Sequence, residues 1–138
     1  MPETLTFAKV HFYDTAKPGI TVIAELRRGA TAVQCEAKID TGASFCIFQR
    51  LHGEYPGLDI ESGTPQYFGT ATGRFPAFGH DITLTVLGLQ TESTVYFAAE
   101  EFFTRNVLGC TGWLDRVRLG LVDYEGKLLL SSYHEEEF

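Results

Sequence analysis

The chain reads VQCEAKIDTGAS over residues 33–44. Apolar and polar residues alternate from Ala32 to Ile39, which predicts a β-strand because successive side chains of a strand point to opposite faces. Asp40 follows this strand directly, and three small residues come next: Thr41, Gly42 and Ala43. Asp and Gly at this spacing are also typical of a plain turn. The stretch therefore predicts a strand that ends in a tight loop carrying a carboxylate.

Further strands are predicted where the same alternation recurs with β-branched and aromatic residues: Thr6 to Phe12, Ile20 to Leu26, His80 to Leu87 and Glu92 to Ala98. A closing hairpin is predicted from Arg118 to Val122 and Lys127 to Ser131, with Gly126 in the left-handed position of its loop. Helical periodicity is confined to Gly112 to Val117. We therefore predict one all-β domain over residues 1–138, a barrel or sandwich with one short helix near the C-terminus.

The charge of the chain disfavours nucleic-acid binding. The formal net charge is −7, with 18 acidic residues against 11 basic ones, and the longest basic run is Arg27-Arg28. A protein that follows phosphates needs a basic surface, so no nucleic-acid partner is expected. The acidic run from Glu135 to Glu137 is interpreted as a solvated tail.

Cysteine and histidine spacing predicts neither a disulfide framework nor a metal site. The three cysteines show no C-x-x-C spacing, and the four histidines show no H-E-x-x-H pattern. The N-terminus lacks a basic segment followed by an apolar one, and no apolar run approaches the length of about 18 residues that a membrane span needs. We expect a cytoplasmic protein with no membrane partner and no metal or organic cofactor.

Two later motifs accompany the Asp40 loop. Residues 67–75 read YFGTATGRF, two aromatic arms around a tip bounded by glycines, which predicts a β-hairpin able to close over a groove. Residues 105–109 read RNVLG, an apolar pair and a glycine just before the predicted helix. A phosphate cradle at the hairpin tip is disfavoured, because no lysine follows in the P-loop pattern.

With these motifs in this order, the chain resembles the retropepsin-like aspartic proteases, the single-domain group that includes retroviral proteases and bacterial relatives. The resemblance extends from about Ile20 to Leu130 and implies the closed-barrel acid-protease fold. It implies that Asp40 is catalytic, that Thr41, Gly42 and Ala43 support its loop, that Gly69, Thr70, Ala71, Thr72 and Gly73 form a flap that binds substrate, and that Val107, Leu108 and Gly109 form a supporting turn. The chain departs from the retroviral pattern at Cys110, where an arginine is common.

The resemblance also implies a mechanism that needs two chains. In aspartic proteases two carboxylates about 3 Å apart share one proton, since both cannot ionise. Only Asp40 stands in a suitable motif here, because Asp14-Thr15 is followed by Ala16 and Asp123 by Tyr124. We therefore expect a homodimeric endopeptidase that cleaves polypeptides with one Asp40 from each subunit. The terminal segment Lys127 to Tyr133 is the candidate interface strand.

Two alternatives remain beside this expectation. Ser44 and Cys46 follow the motif closely, but neither lies in a G-x-S-x-G pattern or beside a recognisable base, so a structural role is favoured over a nucleophilic one. The second alternative is a non-catalytic module that keeps the retropepsin-like fold for peptide binding or dimerisation. Retention of Asp40 argues against that module, because a pure binder has no need to bring two like charges together.

Overall fold

A computed structural model describes residues 1–133, and these residues form a mostly β structure. The acidic run from Glu135 to Glu137 lies outside the described residues. The described strands are β1 (Lys9–Phe12), β2 (Ile20–Arg28), β3 (Thr31–Ile39), β4 (Ile47–Phe48), β5 (Thr64–Thr70), β6 (Gly73–Val86), β7 (Leu89–Ala98), β8 (Val107–Leu108), β9 (Val117–Val122) and β10 (Lys127–Ser132). One α-helix, α1 (Arg50–Glu54), and 3₁₀ turns at Ile60–Ser62, Leu114–Arg116 and Asp123–Glu125 complete the described structure.

The strands form two sheets. The larger sheet has the order β2-β3-β8-β4-β7-β6-β5, and β2 pairs additionally with β6, with Ala24 opposite Val86 and Arg27 opposite Thr83. The smaller sheet has the order β1-β10-β9. One core draws on both sheets, because Leu26 and Leu84 of the larger sheet share a buried cluster with Leu128 of the smaller one.

The predicted strands are present, with different ends in several cases. The first strand starts at Lys9 rather than Thr6, and the closing hairpin of β9 and β10 is confirmed, with Gly126 at φ +62° as predicted. The largest difference is β6. It joins the predicted strand from His80 to Leu87 with the second arm of the hairpin into one strand of 14 residues.

The helix predictions differ from the structure. Only a 3₁₀ turn, Leu114–Arg116, lies within the predicted helix from Gly112 to Val117. Gly112 at φ +108° and Trp113 at φ −140° have non-helical backbone, which leaves too few residues for an α-helix. The α-helix α1 lies instead at Arg50–Glu54, where the sequence analysis predicted none.

Ion pairs explain how a helix as short as α1 is held. Arg50 at its start bonds Glu54 through Nε (3.0 Å) and Glu61 through Nη2 (2.7 Å), and it also donates to the Ala99 carbonyl (3.0 Å). These bonds raise the pKa of the Arg50 guanidinium and lower that of the Glu61 carboxyl. No helix in residues 1–133 is long and apolar enough to cross a membrane.

Candidate active site

The Asp40 loop connects two strands that do not pair with each other. Strand β8 lies between them, parallel to β3 with Lys38 opposite Val107, and antiparallel to β4 with Ile47 opposite Val107. The Asp40 amide donates to the Leu108 carbonyl at 3.0 Å. The end of β3, and with it Asp40, is therefore fixed by a strand from much later in the chain.

Within the loop, the Asp40 side chain organises the next residues. Its Oδ1 accepts the Gly42 amide at 2.9 Å, and its carbonyl accepts the Ala43 amide at 3.1 Å. Thr41 contributes its carbonyl, which accepts the Cys110 thiol at 3.3 Å, while its hydroxyl has no hydrogen-bond partner in residues 1–133. Asp40 itself is exposed, so one carboxylate oxygen and the face of the group remain open.

A close approach at Gly109 supports the loop from below. A Cβ built on Gly109 would overlap the Phe45 carbonyl and lie 2.8 Å from the Ala43 carbonyl, so only glycine fits without moving backbone. The next two amides bond the loop directly, Cys110 N to Ala43 O and Thr111 N to Ser44 O, both at 2.8 Å. Val107 and Leu108 are buried beside it. Val107, Leu108 and Gly109 therefore lie against the Asp40 loop and the strands beside it, and their role as a supporting turn stays a prediction.

The surroundings of Ser44 and Cys46 do not favour a role for either residue as a nucleophile. Cys46 is fully buried, its sulfur accepts the Gly109 amide at 3.4 Å, and burial raises the pKa of its thiol to about 11. A thiol in this state stays protonated and unreactive at neutral pH. Ser44 is exposed at the edge of the groove and has no side-chain hydrogen bond to a base in residues 1–133.

A groove of about 380 Å³ lies between the Asp40 loop and the hairpin of β5 and β6. It brings together these predicted site residues: Asp40, Gly42, Ala43, Gly69, Thr70 and Val107. Thr72 and Gly73 line an adjoining cavity, and Ala71 lines neither. Thr41, Leu108 and Gly109 do not line this groove: Thr41 is exposed, and Leu108 and Gly109 are buried.

The hairpin that lines one side of the groove turns within the predicted segment. Thr70 pairs with Gly73, which leaves Ala71 and Thr72 as a two-residue turn, and Gly73 has φ +146°. The Thr70 hydroxyl donates to the Gly73 carbonyl at 3.0 Å. The tip residues are exposed, so this end of the hairpin is held by its own turn rather than by packing.

An aromatic cluster ties the base of the hairpin to the Asp40 loop. The Phe68 ring lies 5.6 Å from that of Phe45 and 5.3 Å from that of Tyr96, both edge to face. The Phe75 ring stacks on Phe103 at 4.9 Å. Sequence analysis identified the aromatic arms of the hairpin but missed Phe45 and Phe103. For Phe45 the available signal was its place just after the motif.

In residues 1–133 no group of three or more His, Cys, Asp or Glu side chains is placed to hold a metal ion. No protein-family model matches the chain, and no curated protein matches it.

Proposed function

We propose that this protein is an aspartic endopeptidase of the retropepsin-like type, active as a homodimer with one Asp40 from each subunit. The observation that carries the proposal is an exposed Asp40 at an aromatic groove, in a loop whose backbone is fixed by the Gly109 turn. A carboxylate held this firmly yet left open is suited to meet a second carboxylate. A structural turn alone has no need of the groove above it.

The proposed reaction uses the two Asp40 carboxyls as one unit with a single shared proton. The ionised carboxylate accepts a proton from a bound water, whose oxygen attacks the carbonyl carbon of the peptide bond. The protonated carboxyl donates to the carbonyl oxygen as charge develops there. Transfer of a proton to the amide nitrogen then lets the C–N bond break and releases a new carboxyl end and a new amino end.

The pairing of β2 with both β3 and β6 supports the closed-barrel form of the fold. Through these pairings, strands β2, β3, β8, β4, β7 and β6 follow one another in a ring. Closure of this kind removes open edges and gives the rigid base that a catalytic loop needs. The hairpin arm β5 stands outside the ring.

Strand β5 supports an extended polypeptide as substrate. It is the last strand of its sheet and pairs only with β6 among the described strands, so its outer edge is open. Residues 66–70 of this strand line the groove. A peptide can therefore add as a further strand, with backbone hydrogen bonds for affinity and alternate side chains directed to pockets.

We propose that the segment Lys127 to Tyr133 contributes to the dimer interface, but not through an open strand edge over Lys127–Leu130. Strand β10 lies between β1 and β9, which pair with it over Lys127–Leu130 and over Lys127–Ser132 respectively. It therefore offers no open edge over Lys127–Leu130. Its contribution to a dimer there would come from outward side chains such as Leu129.

The test is cleavage of an unstructured peptide library from about pH 3 to about pH 8, because general acid–base catalysis by carboxyl groups makes the rate depend on pH. Asp40→Asn should lower the rate at least about 100-fold, since it removes the general acid and base. Asp14→Asn is a matched control, because Asp14 is exposed and accepts the Ala16 amide at 2.9 Å in the same way as Asp40 accepts Gly42. It should leave cleavage unchanged.

Two results would overturn the proposal. One is full activity of a folded Asp40→Asn variant. The other is a chain that sedimentation shows to be dimeric but that cleaves no peptide at any pH. The second result would favour the non-catalytic peptide-binding module.

A further inference from the structure

The groove beside Asp40 continues into a second cavity. This cavity has a volume of about 490 Å³ and lies between the hairpin tip and residues 102–105. It shares four lining residues with the first cavity: Thr70, Phe75, Phe103 and Arg105. A peptide lying along β5 would therefore pass from the Asp40 end to this outer cavity without leaving the surface.

Two arginines line the outer cavity, and neither has an acidic partner in the described part of the chain. Arg74 and Arg105 form no ion pair with any carboxylate in residues 1–133, whereas Arg27, Arg50 and Arg116 all do. No carboxylate lines the outer cavity, and Asp40 is the one carboxylate of the first. Two arginines in one cavity without an ion pair in residues 1–133 are unusual in a chain with net charge −7.

Aromatic rings hold both guanidinium groups in place. The Arg74 guanidinium carbon lies 4.7 Å from the centre of the Tyr67 ring, and that of Arg105 lies 5.7 Å from the centre of the Phe103 ring. A guanidinium held over a ring keeps N–H donors free for a planar acceptor. A carboxylate matches this donor pattern and forms a charge-assisted hydrogen bond with it.

We propose that the outer cavity binds the carboxylate of an acidic side chain in an extended peptide. The adjoining aromatic groove takes a large apolar side chain of the same peptide against Phe45 and Phe68. This inference rests on the proposed function for the statement that such peptides are substrates. With such a site, the enzyme would select peptide segments in which Asp or Glu lies a few residues from a large apolar residue.

The experiment uses peptides with one phenylalanine in a neutral background and with glutamate, glutamine or lysine at successive positions on either side. Binding is measured by calorimetry with the Asp40→Asn variant, and cleavage is measured separately with the natural chain. At one position we expect the peptide with glutamate to bind about fivefold to tenfold more tightly than the peptide with glutamine. This preference lies between the free energy of an exposed ion pair and that of a charged hydrogen bond shielded from water. Added salt should reduce this preference.

The arginine variants assign that preference to the outer cavity. Arg105→Gln and Arg74→Gln, each made in the Asp40→Asn chain, should reduce the preference for glutamate, and Arg105→Glu should transfer it to lysine. Arg28→Gln is the matched control, because Arg28 is exposed, has no ion pair in residues 1–133 and lines neither cavity. It should leave the preference unchanged.

The outcomes separate this inference from the proposed function. Tight binding with a glutamate preference that depends on Arg105, but without cleavage by the natural chain, would support the acidic site and reject the protease. Cleavage without any preference for glutamate, or with a preference that survives Arg105→Gln and Arg74→Gln, would reject the acidic site and keep the protease. Absence of any binding would reject the acidic site.

Discussion

Replacing Gly109 by alanine is expected to destabilise the protein, because the new methyl group meets backbone rather than a movable side chain. The Cβ would overlap the Phe45 carbonyl and lie 2.8 Å from the Ala43 carbonyl. Overpacking of this kind costs about 1–3 kcal/mol. If the loop moves away, the two amide bonds from Cys110 and Thr111 weaken, each worth about 0.5–1.5 kcal/mol. We expect a total loss of about 4 kcal/mol in the free energy of unfolding.

Urea unfolding followed by the fluorescence of Trp113 measures this loss. Trp113 is the single tryptophan of the chain, it is 1% exposed, and Leu114 next to it donates its amide to the Gly109 carbonyl at 3.1 Å. With a slope of about 2 kcal/mol per molar urea, the midpoint should fall by about 2 M. Protein concentration must be the same in all samples, since dimerisation would add to stability.

Gly69→Ala is the control for this experiment. Apart from Gly69 itself and its two chain neighbours, no atom of residues 1–133 lies within 4 Å of a Cβ built on Gly69, and its φ is not positive, so alanine fits there. Its midpoint should stay close to that of the natural chain or rise slightly, because alanine restricts the unfolded chain. Equal midpoints for Gly109→Ala and Gly69→Ala would refute the argument that backbone contact at Gly109 shapes the loop.

Two further predictions concern stability. The Tyr13 hydroxyl donates to Asp123 at 2.6 Å, and this bond, with burial, raises the Tyr13 pKa from 10.0 to about 12. The stabilisation from this bond should be complete below pH 10 and be lost as the pH rises to about 12. The urea midpoints of Tyr13→Phe and of the natural chain should therefore differ below pH 10 and converge near pH 12. A difference that stays constant over this range would contradict the prediction. Asn106 accepts the Gln49 amide and donates to the Glu36 carbonyl, both at 3.0 Å. Asn106→Ala should cost about 2 kcal/mol, and an unchanged midpoint would show that water replaces both bonds.

Local pattern predicted the strands that alternate regularly along the chain. Strand β3 and the β9–β10 hairpin have clear alternation and a glycine where the turn needs a positive φ, and both are present. The hairpin over residues 67–75 is also present. It could be predicted because its signals, Gly73 and the aromatic arms, lie within a few residues of each other. The loop residues Asp40, Gly42 and Ala43 lie at the groove, and the catalytic roles that the motif implies for them stay predictions.

Tertiary pairing determined the parts that the sequence did not reveal. Strands β4 and β8 have two residues each, too few for any periodic pattern, and exist because they pair with neighbours distant in the chain. The early part of β6 contains Pro76 and Gly79, which disfavour a strand locally, yet pairing with β5 keeps it extended. Helix α1 depends on contacts of Arg50 with Glu61 and Ala99, which no local pattern shows.

The position of β8 between β3 and β4 has a consequence for the growing polypeptide. During synthesis, β3 and the Asp40 loop emerge long before Val107 and Leu108, the residues that hold them. Joining such distant segments must overcome the entropy of closing the long intervening loop, so this step should come late in folding. In a ribosome-bound chain from which Leu108 has not yet emerged, Asp40 thus lies on a loop that lacks its supporting strand. We therefore expect the Asp40 carboxylate to reach its final position only after Val107 and Leu108 have been synthesised and have paired with β3.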